Sequence, residues 1–209
     1  SVVPFKLAFN LLQHTTAEFD SIAGSNKALM KSLQNQFVPA MSYTYTYDDS
    51  PITSKRHHLF LQGSITQAGL LMDAAYAIAG KSFTKEGKNL FGNPFAQFVK
   101  ATAEARYTRL LGDKQYLVGR IMAGAIYSYG NARTAPYNEQ FYIGGANSVR
   151  AFTIRSIGPG RYYQSSDDNK YAYIDRTGDI KFEANLEYRF PIMGDLRGAT
   201  FLDCGNIDR

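Results

Sequence analysis

The sequence predicts an all-β fold, namely part of a transmembrane antiparallel up-and-down β-barrel with long outer loops that contain short helices. Polar and apolar residues alternate over runs of roughly 10–15 residues, whereas ordinary strands have about 5–6 residues and a tilted membrane strand needs about 9–11. Aromatic residues make up 14% of the 209 residues, with fifteen Tyr and fourteen Phe, which favours strands and membrane interfaces. Short turns alternate with long connections, which is typical of outer-membrane barrels.

The first third of the chain predicts three strands. Residues 3–12 are the weakest candidate, and residues 57–66 are a stronger one. Residues 37–48 alternate clearly, with Met41, Tyr43, Tyr45 and Tyr47 against Ser42, Thr44 and Thr46. Residues 16–35 carry apolar residues at helical spacing, which predicts two short helices inside an outer loop. Residues 69–80 are apolar and fit either a strand or a helix.

The clearest alternation lies between residues 94 and 129 and predicts two strands joined by a tight hairpin. In the first strand, polar residues alternate with apolar ones: Lys100, Thr102, Glu104, Arg106 and Thr108 against Val99, Ala101, Ala103, Ala105 and Tyr107. After a turn at Gly112-Asp113, the second strand continues the pattern: Leu117, Ile121, Ala123, Ala125, Tyr127 and Tyr129 against Tyr116, Arg120, Gly124 and Ser128. Long strands in a tight hairpin favour a barrel over a sandwich.

The C-terminal strands show the same two-faced pattern. Residues 181–190 separate charged from apolar side chains: Lys181, Glu183, Asn185, Glu187 and Arg189 against Phe182, Ala184, Leu186, Tyr188 and Phe190. Residues 198–205 begin a further strand. A half-exposed soluble sheet could carry such a pattern. In a barrel, the charged face would line a wet lumen and the apolar face would meet lipid.

The connections between these strands divide into two kinds. Short turns are predicted near residues 49–55, 111–113 and 192–197, and long connections span residues 13–36, 67–93 and 130–177. If the strands run up and down, all short turns share one end of the sheet and all long loops share the other. Outer-membrane barrels have this asymmetry, with short periplasmic turns and long outer loops.

Charge and hydropathy leave the class of partner open. The formal net charge is +5 with a pI near 9.2, but the Lys and Arg residues are scattered, which argues against a nucleic-acid partner. Anionic outer-membrane lipid, including lipopolysaccharide, is a further possible counter-charge. No run of about 18 apolar residues predicts a transmembrane helix, and the mean hydropathy of −0.29 does not separate a barrel from a soluble protein.

The residues that could carry catalysis or bind a metal are sparse. Cys204 is the single cysteine, and His14, His57 and His58 are the only histidines. No Gly-x-Ser-x-Gly occurs, and neither Gly144-Gly145 nor Gly158-Pro159-Gly160 is followed by the Lys-Ser/Thr of a phosphate loop. We therefore expect no enzymatic activity, no metal and no cofactor.

Residues 139–161 are the most informative segment. They lie in the longest predicted outer loop, yet they are apolar and rich in glycine where a solvated loop should be polar. Apolar side chains imply burial and glycines permit close packing, so we expect this loop to fold inward. Arg150 would then need an anionic partner, and the inward carboxylates of the following strands are the candidates.

Three motifs in this region resemble the BamA/TamA outer-membrane family, also called the bacterial surface antigen family. Tyr142-Ile143-Gly144-Gly145 with Val149-Arg150-Ala151-Phe152 is similar to its inward-folded loop, where the usual form is Val-Arg-Gly-Phe/Tyr. Asn185-Leu186-Glu187-Tyr188-Arg189-Phe190-Pro191 resembles the next strand. Phe201-Leu202-Asp203-Cys204-Gly205-Asn206 resembles the strand after it. The N-terminal half, including Gln36-Phe37-Val38-Pro39 and the Tyr-rich strand after it, is similar to the TamA-like branch of Bacteroidetes.

The resemblance implies a sixteen-stranded barrel in the bacterial outer membrane of a Gram-negative cell. It implies protein insertion or translocation, with unfolded outer-membrane proteins as clients and possible periplasmic or lipoprotein partner subunits. It also implies that the loop motif, Gly144, Gly145, Val149, Arg150, Ala151 and Phe152, is locked in the lumen through Arg150 to Glu187 and Asp203. Ala151 departs from the usual glycine, and Cys204 occupies a variable position. Residues 1–209 are interpreted as the C-terminal portion of a barrel domain, without POTRA domains or closing strands.

Three other interpretations stay open at this point. The barrel could be a passive pore or surface antigen, or it could be the barrel domain of a larger chain with a passenger enzyme. The third interpretation is a soluble β-protein.

Overall fold

Long antiparallel strands make up most of the structure, which confirms the predicted all-β fold. The computed structural model describes residues 1–10, 36–49, 56–80, 89–90, 93–130, 134–160 and 176–208. The two helices predicted within residues 16–35 lie outside the described residues.

The described residues form a seven-stranded sheet and a separate two-stranded one. The elements in chain order are β1 (Val2–Asn10), β2 (Gln36–Asp48), β3 (His57–Ala68), α1 (Leu70–Ile78), β4 (Asn89–Leu90), β5 (Asn93–Pro94), β6 (Phe98–Gly112), β7 (Gln115–Ser128), β8 (Ile180–Met193) and β9 (Leu196–Asp208). The large sheet has the order β1-β2-β3-β6-β7-β8-β9, and every pair of neighbours is antiparallel. β4 pairs with β5 alone. This up-and-down order, with β1 and β9 at the edges of the described sheet, is that of a partial barrel wall.

Two predicted hairpins are confirmed, and their turns are short. β6 and β7 are joined through Asp113 and Lys114, and Lys114 takes the positive φ of 55° that this tight turn requires. β8 and β9 are joined through a turn at Gly194, where φ is 58°. The long connections leave from the opposite ends of these strands. Of the third short turn, predicted over residues 49–55, only Asp49 is described, and its backbone N–H bonds to Leu59 O at 3.2 Å.

The ambiguous segment 69–80 forms the helix α1. Gly69 precedes it with φ of 87°, and a Cβ there would stand 2.7 Å from the side chain of Gln97. Asp73 in the first turn is fully buried, and Gln97 Nε2 donates to its two carboxylate oxygens at 2.6 and 2.7 Å. This polar contact fixes the helix against the segment before β6. Within the described ranges, no helix has both the length and the apolar character to cross a membrane.

The two faces of the sheet differ in chemistry, as the alternation predicts. On the face that we call the outer face, Tyr45, Ile65, Ile121, Tyr127 and Leu202 each expose more than half of their surface. The opposite, inner face carries the charged residues that alternate with them. A soluble monomer rarely exposes so large an apolar surface, and lipid is the environment in which it is stable.

The core lies between the inner face and a loop that covers it. The inner face contributes buried residues from the loop ends of its strands, among them Val38, Phe98, Ile126 and Ile207. The loop contributes Phe141, Ile143 and Val149 to the same cluster. Burial of these side chains, each at about 1.5–3 kcal/mol, drives the loop onto the wall.

Candidate functional site

The candidate site is the segment from Glu139 to Gly160, which we call the inner loop, together with the inner face of β6 to β9. The loop folds back on itself through backbone hydrogen bonds. Gly145 N donates to Phe152 O at 2.9 Å, and Arg155 N donates to Ile143 O at 2.9 Å. These bonds satisfy backbone groups that burial would otherwise leave without a partner.

Gly144 is required by this compact fold. Its φ is 108°, and a Cβ on it would stand 2.0 Å from the backbone O of Thr153. Any side chain would therefore separate the two arms of the loop. Gly145 follows with φ of 98°, a conformation that also favours glycine.

The first half of the inner loop packs on glycines of the wall. Phe141 is buried, and a Cβ on Gly124 would stand 2.4 Å from the end of its ring. Ile143 is fully buried and contacts the position where a Cβ on Gly205 would stand, 3.1 Å away. Both glycines face inward, so their missing side chains make the space that the loop fills. Lys100 Nζ lies 5.0 Å from the centroid of the Phe141 ring.

The second half of the inner loop brings Arg150 against two carboxylates of the wall. Its Nε donates to Asp203 Oδ2 at 2.8 Å and its Nη2 donates to Asp203 Oδ1 at 2.9 Å, which is a bidentate pair. Its backbone N–H donates to Asp203 Oδ2 at 3.0 Å, and Nη1 donates to Glu187 Oε2. The guanidinium also lies over the ring of Phe201, 3.9 Å from its centroid. The structure thus brings together Arg150, Glu187 and Asp203, the three residues that the sequence singled out.

The electrostatics of the contact keep Arg150 charged. The hydrogen bonds to Asp203 and then to Glu187 raise the pKa of the guanidinium above its ordinary value, against the opposing effect of burial. Only a quarter of the Arg150 side chain is exposed, and the Asp203 side chain is 4% exposed. Water therefore screens this pair far less than it screens a surface salt bridge.

The structure adds three site residues that sequence reasoning did not single out. Arg120 on β7 pairs with Glu104 at 3.0 Å and with Glu183 at 3.3 Å. Asn185 on β8 donates to the Ser148 backbone O at 2.9 Å and to Asp203 Oδ1 at 2.9 Å. Alternation placed Arg120 and Asn185 on the inner face, but nothing in the sequence indicated that Ser148 would meet Asn185.

The remaining motif residues have different surroundings. Val149 is buried, whereas Phe152 is 53% exposed. Cys204 is exposed and lies on the outer face, opposite Ala184. His57 lies beside the Tyr107 ring, and His58 lies 4.0 Å from Asp49. His14 is outside the described residues, and among the described ones no group of His, Cys, Asp or Glu could hold a metal ion.

Ala151 occupies a position that favours glycine, because its φ is 68°. We expect Ala151→Gly to stabilise the docked loop by about 0.5–1 kcal/mol, since relief of left-handed strain exceeds the entropy that glycine adds to the free loop. Urea titration of loop protection against protease, in the purified membrane protein, would measure this. Ala146→Gly is the matched control, because Ala146 is an exposed loop alanine without a positive φ. If Ala146→Gly stabilised the docked loop as much as Ala151→Gly, the explanation that Ala151 is strained would be contradicted.

Long antiparallel strands, an apolar outer face and a charged inner face that holds a loop define the wall of an outer-membrane β-barrel. Residues 18–208 match the Omp85 superfamily domain, and the chain belongs to this superfamily. It is an outer-membrane protein of the BamA/TamA type, as the three motifs predicted. Its assignment to the TamA-like branch of Bacteroidetes stays a prediction.

Two curated relatives carry the name outer membrane protein assembly factor BamA. The protein of Nitratidesulfovibrio vulgaris is 32% identical over 127 residues, which cover 60% of this chain and 15% of the relative. The protein of Neisseria meningitidis serogroup B is 27% identical over 106 residues, which cover 48% of this chain and 12% of the relative. The matched regions therefore span about one seventh of the length of these relatives.

Proposed function

We propose that the protein to which this chain belongs inserts or assembles outer-membrane proteins, or translocates proteins, without enzymatic catalysis. At the level of the family, the activity is outer-membrane protein assembly. Its clients would be unfolded outer-membrane proteins. The protein would act on them in a bilayer that contains lipopolysaccharide. Periplasmic or lipoprotein subunits are further candidate partners.

The observation that carries the proposal is the contact of Arg150 with Asp203 and Glu187. An arginine side chain stays protonated in proteins, so its burial is costly unless carboxylates pair with it. Here a loop arginine reaches two strands at once, at 2.8 Å from Asp203 and in contact with Glu187. We propose that this pairing locks the inner loop in the lumen. A docked loop would brace β8 against β9 while the rest of the barrel changes shape around a client.

The test is client folding by the full-length protein in liposomes. We expect a urea-unfolded outer-membrane barrel to reach its folded, protease-resistant form at least several-fold faster with the protein than in empty liposomes. Liposomes that contain an unrelated outer-membrane porin are the control for bilayer disturbance. Equal rates with the protein and with the porin would contradict an assembly function.

A passive pore is the second candidate, because a cavity opens beside the tip of the inner loop. It measures about 630 Å³ and is lined by charged side chains that include Arg106, Arg120 and Arg189. Such a wet, polar lumen suits ion passage. Steady ion conductance of the reconstituted protein, together with no acceleration of client folding, would favour the pore over the assembly factor.

A further inference from the structure

Four successive inner-face residues of β8, from Lys181 to Glu187, contact the inner loop. Lys181 Nζ donates to Tyr142 O at 2.9 Å, and Asn185 donates to Ser148 O at 2.9 Å. Glu187 accepts from Arg150 at the far end of the row. Between Lys181 and Asn185 lies Glu183, which is fully buried. The strand therefore contacts the loop at four successive inner-face positions and not only at the arginine.

Three donors surround the fully buried carboxylate of Glu183. Ser148 Oγ donates to its Oε1, Lys181 Nζ lies 3.3 Å from Oε1, and Arg120 Nη1 lies 3.3 Å from Oε2. A buried carboxylate is strongly unfavourable unless such partners satisfy it. Gly205, which pairs with Glu183 across β8 and β9, leaves room for the Glu183 side chain, because a Cβ on Gly205 would stand 3.1 Å from Glu183 Cγ.

Ser148 links this carboxylate to the tight turn of the loop. Its hydroxyl accepts a hydrogen bond from Gly144 N at 3.1 Å while it donates to Glu183. Ser148 is only 9% exposed. Arg120 adds a second contact with the same turn, because its Nη1 donates to Asn147 O at 3.2 Å. The turn from Gly144 to Ser148 is thus fixed to the wall by side chains other than Arg150.

We propose that Glu183 is a second anchor of the inner loop and that it acts through Ser148. This anchor holds residues 142–148, whereas Arg150 holds residues 150–156. The inference rests on the proposed function only in that a docked loop is taken to be the working state. Asn185 joins the two anchors, because it donates both to Ser148 O and to Asp203 Oδ1 at 2.9 Å each. Because the two anchors hold different residues, release of one anchor loosens its own half of the loop first.

Hydrogen–deuterium exchange of the full-length protein in lipid nanodiscs, read by mass spectrometry of loop peptides, tests this. Ser148→Ala should speed exchange of residues 142–148 by about tenfold or more, because a hydrogen bond to a charged group is lost. Residues 150–156 should exchange within about threefold of the wild-type rate, since the Arg150 contacts persist. Arg150→Ala should give the reverse pattern.

Two matched controls separate the anchor from general loosening. Ser156→Ala removes a loop hydroxyl that bonds to Thr153 O within the loop, at 2.7 Å. Glu104→Gln removes an inner-face carboxylate that pairs with Arg120 and Arg106. Neither control should speed exchange of residues 142–148 as much as Ser148→Ala does.

The double variant Ser148→Ala/Glu183→Ala tests whether the serine acts through the carboxylate, because alanine at position 183 has no side-chain acceptor. If the serine does act in this way, the double variant exchanges no faster over residues 142–148 than Glu183→Ala alone. Additive acceleration would overturn the proposal, and so would a Ser148→Ala rate equal to that of Ser156→Ala. If Glu183→Ala does not assemble, the comparison of Ser148→Ala with Ser156→Ala remains the test. Exchange needs no client, so a failed client-folding assay with a normal exchange pattern would refute the proposed function and leave the anchor intact.

Discussion

Arg150→Ala should release the second half of the inner loop and make the barrel sensitive to protease. Removal of one partner from a buried ion pair costs about 3–5 kcal/mol, and a quarter of the Arg150 side chain is exposed, so we expect about 3 kcal/mol. That loss raises the undocked population about a hundredfold. The variant would leave Asp203 and Glu187 with fewer donors, because Asp203 would keep its hydrogen bond from Asn185 and Glu187 would keep its ion pair with Arg189.

Arg150→Lys is the control that keeps the charge. Lysine cannot form the bidentate pair with Asp203, so we expect an intermediate loss that is smaller than that of alanine. Chymotrypsin cleavage near Phe152, followed by mass spectrometry of the purified full-length protein, measures loop release in both variants. Unchanged cleavage in Arg150→Ala would show that the arginine does not hold the loop.

The sequence was most informative where alternation was strict. Glu187 falls on the charged face of residues 181–190, and the period of two alone placed it inward. The inward fold of residues 139–161 followed from apolar and glycine content in a place where water should favour polar residues. Both inferences depend on local chemistry, which a single sequence records.

Asp203 was harder to place, because its face also carries Phe201 and Gly205. The structure gives the physical reason for this mixture. Phe201 faces inward since its ring packs under the Arg150 guanidinium, and Gly205 faces inward since Ile143 and Glu183 need its space. Where a loop covers the wall, the inner face also carries apolar residues. The alternation of polar and apolar residues then no longer distinguishes the inner face from the outer face.

The same effect explains the residues that the sequence did not reveal. Phe98 and Ile126 stand on the otherwise polar inner face because the loop buries them. Ser148 meets Glu183 only because the loop crosses β8 in one register, and a single sequence does not specify that register. The segment that became α1 stayed ambiguous because a short apolar run fits both periods. The buried Asp73 of this helix accepts a hydrogen bond from Gln97, which is a tertiary contact.

Gly124→Val should displace the first half of the inner loop, which is the other large effect that the structure predicts. A Cβ at this position would stand 2.4 Å from Phe141 Cζ and 2.8 Å from Cε1. The ring has no free space to enter, because Phe141 is buried and its backbone pairs with Gly178 on both sides, at 2.9 and 3.0 Å. We expect a loss of about 3 kcal/mol in loop docking, from overpacking and from exposure of the ring.

A matched glycine on the same strand and a compensating variant make this test specific to the loop contact. Gly119→Val should have little effect, because no atom lies within 4 Å of a Cβ at that outer-face glycine. Gly124→Val/Phe141→Ala should dock better than either single variant, since the valine fills part of the space that the ring leaves. Loop docking would be measured by hydrogen–deuterium exchange of residues 139–145 in nanodiscs, for the two valine variants, Phe141→Ala and the double variant. Equal losses for the two valine variants would mean that strand disturbance, and not the clash with Phe141, accounts for the result.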